Sequence, residues 1–208
     1  MLALSRNLFA YRRAVLEGGW QQSAQFCLHA APMKDLSART LAVCGGGAIG
    51  EALAAKAAAL GMRLMRVERK GAAQVRAGYT RFETALAEAD VLSLHLPLND
   101  DTRGLIGAAE LALMKPDALL INTARGGLVD EAALLAALQA GRLGGAGLDV
   151  LDTEPPRQGN PLLDVELPNL IITPHAAWLS EQALAKLAQQ LVDNIAAFLQ
   201  GEPRNLVE

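Results

Sequence analysis

The fold is decided by residues 40–50, TLAVCGGGAIG. They begin with a short apolar run that predicts a buried strand, break into glycines, and lead into an Ala/Leu-rich segment that predicts a helix. Gly45, Gly47 and Gly50 satisfy the pattern G-x-G-x-x-G. In this pattern the glycines permit a tight turn, close approach of the backbone to a pyrophosphate, and close packing of helix against strand.

A second predicted strand, RLMRVE, follows the predicted helix and ends in Glu68. It lies about 20 residues beyond the glycines, where a carboxylate typically meets the adenine ribose hydroxyls of NAD. Arg69 and Lys70 come next, and cations at this place can accommodate the 2′-phosphate of NADP. The sequence therefore predicts a dinucleotide site, against the alternative of a purely structural glycine turn, with NAD favoured and NADP left open.

Composition limits the class of protein. A chain of 208 residues, 51% of them hydrophobic, can form one full domain and part of a second. The net charge of −3 gives no sign of a nucleic-acid partner. Two cysteines, Cys27 and Cys44, are too few for a disulfide scaffold, which favours a reducing, cytoplasmic location. Because Lys56 interrupts the longest Ala/Leu tract, no membrane span is expected.

Residues 1–16 allow two interpretations. The segment contains Arg6, Arg12 and Arg13 and has no acidic residue before Glu17, which gives it a superficial similarity to an organelle transit peptide. We favour the other interpretation, an amphipathic helix with Leu4, Leu8 and Tyr11 on one face.

Residues 18–38 lack the periodicity of a packed element, yet they contain Trp20, Phe26 and Leu28. Because side chains of this size are costly to leave in water, we expect a partner subunit to cover them, which predicts a homodimer. His29 is expected to be a surface loop residue.

From Thr40 onward, predicted strands and helices alternate. Such alternation implies right-handed crossovers and a parallel sheet covered on both faces. The fold class predicted is therefore α/β, a Rossmann-type doubly wound parallel sheet of about seven strands with helices on both faces. The strands are predicted at 40–44, 63–67, 79–82, 91–95, 118–122, 145–150 and 170–173, and the helices near 48–60, 83–88, 107–114, 130–140 and 177–200.

Ligands of such sheets bind beyond the carboxyl ends of the strands. Four predicted strands are followed by unusually polar segments, HLPLN, NTARGG, DVLDTE and TPHAAW. These segments bring five candidate side chains to one crevice: His95, Arg125, Asp149, Glu154 and His175.

Three of these side chains suit acid–base chemistry on a carbonyl compound. Arg125 can capture a carboxylate or polarise a carbonyl, with an ordinary ion pair as the alternative. His175 can exchange a proton near neutral pH, although a lone histidine is more often structural. Glu154 favours the catalytic interpretation of His175, because a carboxylate bonded to an imidazole stabilises its protonated form and fixes the ring.

The other two candidates are weaker. Asp149 closes the sixth strand beside the glycine turn, so a cofactor contact is expected, with turn capping as the alternative. His95 is interpreted as structural, in a turn whose backbone lies near the cofactor. The three histidines are far apart and no CxxC or HExxH spacing occurs, so no metal site is predicted.

Five motifs in order, GGGAIG, HLPLNDDTRGLI, LLINTARGGLVDEAALLAAL, GAGLDVLDTEPP and ITPHAAW, resemble the NAD(P)-dependent D-isomer-specific 2-hydroxyacid dehydrogenases. HAAW and the tail DNIAAFLQGEPRNLV are most similar to the glycerate dehydrogenase (hydroxypyruvate reductase) branch. The resemblance implies hydride transfer between NAD(P)H and a small 2-oxo acid such as hydroxypyruvate or glyoxylate.

By this resemblance Arg125 binds and polarises the 2-oxo acid, His175 is the acid/base, and Glu154 pairs with His175. Asp149 would meet the nicotinamide carboxamide and Glu68 the adenosine ribose. The positions assigned to the cofactor groove are Gly45, Gly47, Ala48, Ile49, Gly50, Glu68, Leu96, Pro97, Thr102, Thr123, Ala124, Arg125, Asp149, His175 and Ala177.

The resemblance also implies a domain organisation. Residues 1–38 would be an interdomain helix and dimerisation arm, 39–178 the NAD(P)-binding domain, and 179–208 a C-terminal helix and tail. In the family a flavodoxin-like substrate domain precedes the cofactor domain, and residue 1 aligns inside the long helix that follows it. We therefore expect either a piece of a longer enzyme or a catalytically silent NAD-binding remnant that acts as a sensor or partner subunit.

Overall fold

The computed structural model describes residues 1–206. Its strands are β1 (Thr40–Cys44), β2 (Arg63–Val67), β3 (Tyr79–Thr80), β4 (Val91–Leu94), β5 (Leu119–Asn122), β6 (Gly145–Leu148) and β7 (Leu170–Ile172). Its α-helices are α1 (Leu2–Ser5), α2 (Leu8–Leu16), α3 (Ala48–Ala59), α4 (Phe82–Glu88), α5 (Ala108–Leu113), α6 (Glu131–Gln139) and α7 (Glu181–Leu199). Short 3₁₀ turns lie at Leu36–Ala38 and Gly126–Leu128.

The seven strands form one parallel sheet in the order β3-β2-β1-β4-β5-β6-β7. The direction of winding reverses at β1, which pairs with β2 on one side and β4 on the other. A reversal of this kind opens a crevice at the carboxyl ends of the two strands. The predicted fold class is confirmed.

Side chains of β1 alternate between two hydrophobic cores, one on each face of the sheet. Leu41 and Val43 pack with α1 and α3 on one face. Ala42 and Cys44 pack with α4, α5 and α6 on the other. Both faces are therefore covered, which explains why β1 is apolar after Thr40 and buried at every position.

The chain divides into two compact units, Met1–Ile172 and a second that begins at Thr173. The whole sheet lies in the first. The second contains α7, which starts later than predicted because the Ser180 hydroxyl accepts a hydrogen bond from the Ala183 N–H (3.1 Å) and caps the helix there. The two last residues of the predicted tail, 207–208, lie outside the described residues. The predicted domain limits at 38 and 178 stay predictions.

The N-terminal segment differs from the single amphipathic helix predicted for residues 1–16. Asn7 adopts a left-handed conformation (φ 48°), and this separates α1 from α2. Leu4 is buried against the sheet while Leu8 is exposed, so the predicted common face with Tyr11 is wrong. The segment that follows is irregular as predicted, and its Trp20 and Phe26 are exposed.

None of the helices within residues 1–206 combines the length and the apolar character needed to cross a bilayer.

Candidate cofactor groove and active site

The glycine turn after β1 contacts the turn after β4, at the point where the direction of winding of the sheet reverses. Gly45 has a φ of +110°, which favours glycine, and a Cβ at this position would lie 2.3 Å from the His95 carbonyl oxygen. Gly50 is equally constrained, since its Cβ would lie 2.2 Å from the Gly45 carbonyl oxygen. These two glycines therefore allow β1, α3 and the β4 turn to come together.

Gly47 has a different environment. It precedes the first residue of α3, and a Cβ placed on it would meet no atom within 4 Å. The first intrahelical hydrogen bond runs from the Glu51 N–H to the Gly47 carbonyl, so the N–H groups of residues 48–50 have no intrahelical acceptor. Open space in front of free N–H groups and the positive end of a helix dipole suits an anion.

Two neighbouring cavities extend from this turn and share Leu96 and Pro97 in their walls. The first, of about 650 Å³, contains the predicted cofactor positions Gly45, Glu68, Leu96, Pro97 and Thr102. The second, of about 760 Å³, contains Gly47, Ala48, Ile49, Gly50, Leu96, Pro97, Thr123, Ala124 and Arg125. Twelve of the predicted positions thus line one groove, and their roles there stay predictions.

Glu68 stands where the sequence predicted, at the end of β2 and in the wall of the first cavity, and it is buried. One carboxylate oxygen accepts from the Arg69 N–H (2.8 Å) and from the Arg76 Nη2 (2.8 Å). The other accepts from the Arg76 N–H (3.0 Å) and the Arg76 Nε (2.8 Å). The side-chain hydrogen bonds from Arg76, followed by those from the two backbone N–H groups, lower the Glu68 pKa to about 2. Arg76 was not predicted as a site residue.

Arg125 is exposed at the rim of the second cavity, and a buried asparagine fixes its turn. The Asn122 Nδ2 donates to the Arg125 carbonyl (2.8 Å), and its Oδ1 accepts from the Ala124 N–H (3.0 Å). The Arg125 Nη1 donates to the Ala124 carbonyl (2.6 Å). Asn122 was not predicted as a functional residue. Its sequence signal was a polar residue at the end of an otherwise apolar strand.

The two glycines after Arg125 let the loop after β6 approach. A Cβ on Gly126 would lie 1.9 Å from the Leu151 carbonyl carbon, and one on Gly127 would lie 3.0 Å from the Asp152 Oδ1. In that loop the Glu154 Oε1 accepts from the Leu151 N–H (2.8 Å), so the carboxylate is held against its own turn.

Asp149 is buried at the end of β6, and its N–H donates to the Asn122 carbonyl (2.9 Å). It does not belong to the walls of the two described cavities. Its predicted contact with a nicotinamide carboxamide stays a prediction.

His175 lies in the second unit and has a left-handed backbone (φ 51°), which is uncommon for a residue with a side chain. Its N–H donates to the Thr173 carbonyl (3.0 Å), and its carbonyl accepts from the Trp178 Nε1 (3.0 Å). Strained backbone of this type is concentrated at functional sites. Ala177 is exposed in the same turn. The predicted pairing of Glu154 with His175 stays a prediction.

The other two histidines differ in environment, and the interpretation of His95 as structural stays a prediction because His95 also lines the second cavity. His95 is half-buried and its Nε2 lies 2.9 Å from the Ser93 Oγ, while burial lowers the pKa of its ring. His29 is exposed in the irregular segment. Within residues 1–206, no group of three or more His, Cys, Asp or Glu side chains is arranged to hold a metal ion.

Residues 1–177 match the family model for the NAD binding domain of D-isomer specific 2-hydroxyacid dehydrogenases. The chain belongs to this family. Among its relatives, the glycerate dehydrogenase of Methylorubrum extorquens is 50% identical over 208 residues, which are 100% of this chain and 65% of that protein. This member of the 2-hydroxyacid dehydrogenase family thus spans about two thirds of the length of that relative.

Two solved structures have a similar fold. The NAD complexed form of D-isomer specific 2-hydroxyacid dehydrogenase from Lactobacillus delbrueckii ssp. bulgaricus has a TM-score of 0.82 and 30% identity, and the match covers 100% of this chain and 66% of that one. An acyclic imino acid reductase (Bsp5) in complex with NADPH and D-Arg has a TM-score of 0.83 and 31% identity, over 99% of this chain and 64% of that one. The predicted 2-hydroxyacid dehydrogenase resemblance is confirmed.

Proposed function

We propose that this chain is the cofactor-binding part of an oxidoreductase that transfers a hydride between NAD(P)H and a small 2-oxo acid. The observation that carries the proposal is the second cavity, where the first turn of α3 and Arg125 line the same space. An anion cradle and a cation suited to a carboxylate or carbonyl oxygen thus share one groove. The relative named glycerate dehydrogenase supports hydroxypyruvate and D-glycerate as the substrate pair, with glyoxylate and glycolate as the next candidates.

The residues of the groove fit a dinucleotide. The free N–H groups of residues 48–50 would hold the pyrophosphate, and the space in front of Gly47 leaves room for it. Thr123 and Ala124 would form a wall of the groove by backbone and apolar contact. A bound nicotinamide ring supplies the hydride.

The chain's own residues would manage charge and protons. Arg125 would donate hydrogen bonds to the substrate and withdraw charge from the carbonyl oxygen. His175 would give that oxygen a proton as the hydride reaches the carbon, so negative charge does not accumulate. Glu154 would stabilise the protonated imidazole and Asp149 would orient the carboxamide. The assignment of these roles rests on the family resemblance.

The test is a titration of the 208-residue chain with NADH, followed by hydroxypyruvate, monitored by nicotinamide absorbance. Binding with turnover would support the proposal. Binding without turnover would favour the alternative, a catalytically silent NAD-binding protein. Absence of binding would refute both.

Acid–base catalysis by His175 has a separate test in any preparation that turns over. His175→Ala should reduce kcat by about 10²–10⁴-fold with little change in cofactor affinity, as expected for loss of a general acid. His29→Ala is the matched control, because it removes an exposed imidazole from the irregular segment. An equal loss of turnover and cofactor binding in His175→Ala would argue for a structural histidine.

We also propose a cytoplasmic homodimer. Two cysteines without a disulfide, Cys27 and Cys44, support a reducing compartment. Apolar side chains exposed on the N-terminal segment support a subunit contact there: Leu8, Phe9, Val15, Leu16, Trp20 and Phe26. Sedimentation of the wild-type chain and of Phe26→Ser should show a dimer that the substitution weakens. A wild-type monomer at micromolar concentration would refute this proposal.

A further inference from the structure

We infer that Glu131 is a positioning residue for Glu154, because it fixes the loop after β6 against the segment that carries Arg125. Glu131 does not belong to the walls of the two described cavities, so it acts through its neighbours. The inference rests on the proposed function, in which Arg125 binds the substrate and Glu154 supports the acid–base step.

The contact is centred on the peptide group that joins Leu151 to Asp152. A Cβ on Gly126 would lie 1.9 Å from the carbonyl carbon of this group and 2.3 Å from its nitrogen, so the approach requires glycine. The N–H of the same group donates to the Glu131 Oε1 (2.8 Å). Gly126 follows Arg125 directly, and Glu131 is the first residue of α6. One short segment of chain therefore holds this peptide group both by packing and by a hydrogen bond.

The second carboxylate oxygen of Glu131 holds the far end of the loop. The Glu131 Oε2 accepts from the Asn160 Nδ2 (2.6 Å), and the Asn160 Oδ1 accepts from the Leu162 N–H (2.9 Å). Asn160 is buried and Leu162 belongs to a hydrophobic core, so this end of the loop is anchored in packed structure. The two oxygens of one carboxylate thus bridge residues 152 and 160, and the largely exposed segment between them is restrained.

Glu154 is exposed and lies within the bridged segment. Its Oε1 accepts from the Leu151 N–H (2.8 Å), and this N–H belongs to the peptide group that precedes the one bonded to Glu131. Hydrogen bonds to carboxylates are about twice as strong as those between neutral groups, so two consecutive peptide groups are each fixed by a strong bond. Loss of the Glu131 bond frees the Leu151–Asp152 peptide to rotate, and this rotation displaces the Glu154 carboxylate. The Leu151 N–H therefore reports the position of that carboxylate.

The side chain of Asp152 makes a weaker contact. Its Oδ1 lies 3.5 Å from the Arg103 Nη1, and both side chains are more than half exposed. An exposed ion pair at this distance contributes little, because water and salt screen it. Glu131 therefore provides the stronger polar link between the loop and the segment of Arg125.

The first test is amide hydrogen exchange, resolved by residue, in the wild-type chain and in Glu131→Ala. Both the Leu151 and Asp152 amides should exchange about tenfold faster in the variant, since one strong hydrogen bond protects each of them. Asp152 loses its acceptor directly, whereas Leu151 loses it only if the Glu154 carboxylate moves. Glu154→Ala is the positive control, because it removes the acceptor of the Leu151 amide.

Asp130→Ala is the matched negative control. The Asp130 Oδ1 accepts from the Ala133 N–H (3.0 Å), so this substitution removes a carboxylate and a hydrogen bond from the start of the same helix. It should lower the melting temperature and leave the exchange of the Leu151 amide within about twofold of wild type. Glu131→Gln keeps one oxygen for the Asp152 N–H and should restore part of the protection.

The second test uses a preparation that reduces hydroxypyruvate. Glu131→Ala should lower kcat by about 10–100-fold and leave the KM for NADH within about twofold, because a misplaced catalytic group affects the chemical step. In a Glu154→Ala background the same substitution should cause little further loss, since both residues act through one carboxylate.

The outcomes separate this inference from the proposed function. Faster exchange at Asp152 with Leu151 unchanged would overturn the inference, because the loop would then be fastened without any effect on Glu154. Equal increases in Glu131→Ala and Asp130→Ala would overturn it as general destabilisation, and so would losses of kcat that add fully in the double variant. Binding of NADH without turnover would favour the silent alternative to the proposed function, and the exchange of Leu151 would still decide whether Glu131 positions Glu154.

Discussion

Asn122→Ala should both destabilise the first unit and loosen the cofactor groove. Asn122 is buried at the end of β5, and its amide bonds the two residues that precede the glycines, Ala124 and Arg125. The substitution leaves an N–H and a carbonyl of this turn without their partner. It also removes what holds the turn in its present conformation.

The magnitude follows from those two hydrogen bonds. A buried polar group left without a partner costs about 1–3 kcal/mol. Since Ala124 is half-buried and Arg125 exposed, water can replace part of the loss, so we expect about 2 kcal/mol in all. That lowers the melting temperature by about 4–8 °C for a chain of this size. Reordering the backbone of one turn residue on binding costs about 1–2 kcal/mol, roughly a tenfold loss of cofactor affinity.

The assay is thermal unfolding together with calorimetric titration of the cofactor. Asn160→Ala is the matched control, because Asn160 is also buried and also makes two hydrogen bonds. Its Nδ2 donates to Glu131 (2.6 Å) and its Oδ1 accepts from the Leu162 N–H (2.9 Å), away from both cavities. The control should lose stability of similar size and keep its cofactor affinity.

Two results would refute this reasoning. If both variants lose cofactor affinity equally, the effect is global destabilisation and Asn122 has no special link to the groove. If Asn122→Ala melts at the wild-type temperature, water satisfies the turn and the amide does not fix it.

Three further predictions concern single sites. Gly47→Ala should keep the wild-type melting temperature but lower the affinity for the cofactor, because its Cβ would enter open space in the groove. Gly50→Ala should lower the melting temperature, because its Cβ would lie 2.2 Å from a carbonyl oxygen. Because the Glu68 pKa is depressed to about 2, the carboxylate should stabilise the fold above about pH 5 and lose this contribution as the pH falls toward 2. In an acid titration, the free energy of unfolding of Glu68→Gln should therefore fall less steeply than that of the wild-type chain. A thiol reagent at pH 8 should label Cys27 and spare Cys44 in the native chain, because burial raises the Cys44 pKa to about 12; labelling of both would contradict the buried position.

Much of the fold follows from local sequence. The first two strands have the predicted bounds because each is a short apolar or β-rich run that ends at glycine or at a charge. α6 begins close to the predicted position, since Asp130 caps it: the Asp130 Oδ1 accepts a hydrogen bond from the Ala133 N–H (3.0 Å). The break at Asn7 was not predictable from periodicity, because the positions on both sides of it fit one helical face.

The sequence predicted where the candidate cofactor groove lies, but not all of the side-chain contacts within it. Twelve positions that the family resemblance assigned to the cofactor groove line two adjoining cavities beyond the carboxyl ends of parallel strands. Arg76 escaped prediction because it lies in an irregular loop, eight residues after the carboxylate it binds. Likewise, only the fold reveals that Gly126 is needed for the approach of Leu151, which is 25 positions away in the chain.

The two cavities and the turn that holds His175 belong to different units of the chain. The walls of both cavities come from the unit Met1–Ile172, and most of their residues lie in the turns that follow β1, β2, β4 and β5. His175 comes from the other unit, in a turn bonded to its own Trp178. A substitution in that turn should therefore alter the proposed acid–base step and leave the glycine turn and the Arg76–Glu68 ion pair unchanged. Conversely, a substitution at Glu68 or Arg76 should alter the wall of the first cavity and leave the turn of His175 unchanged.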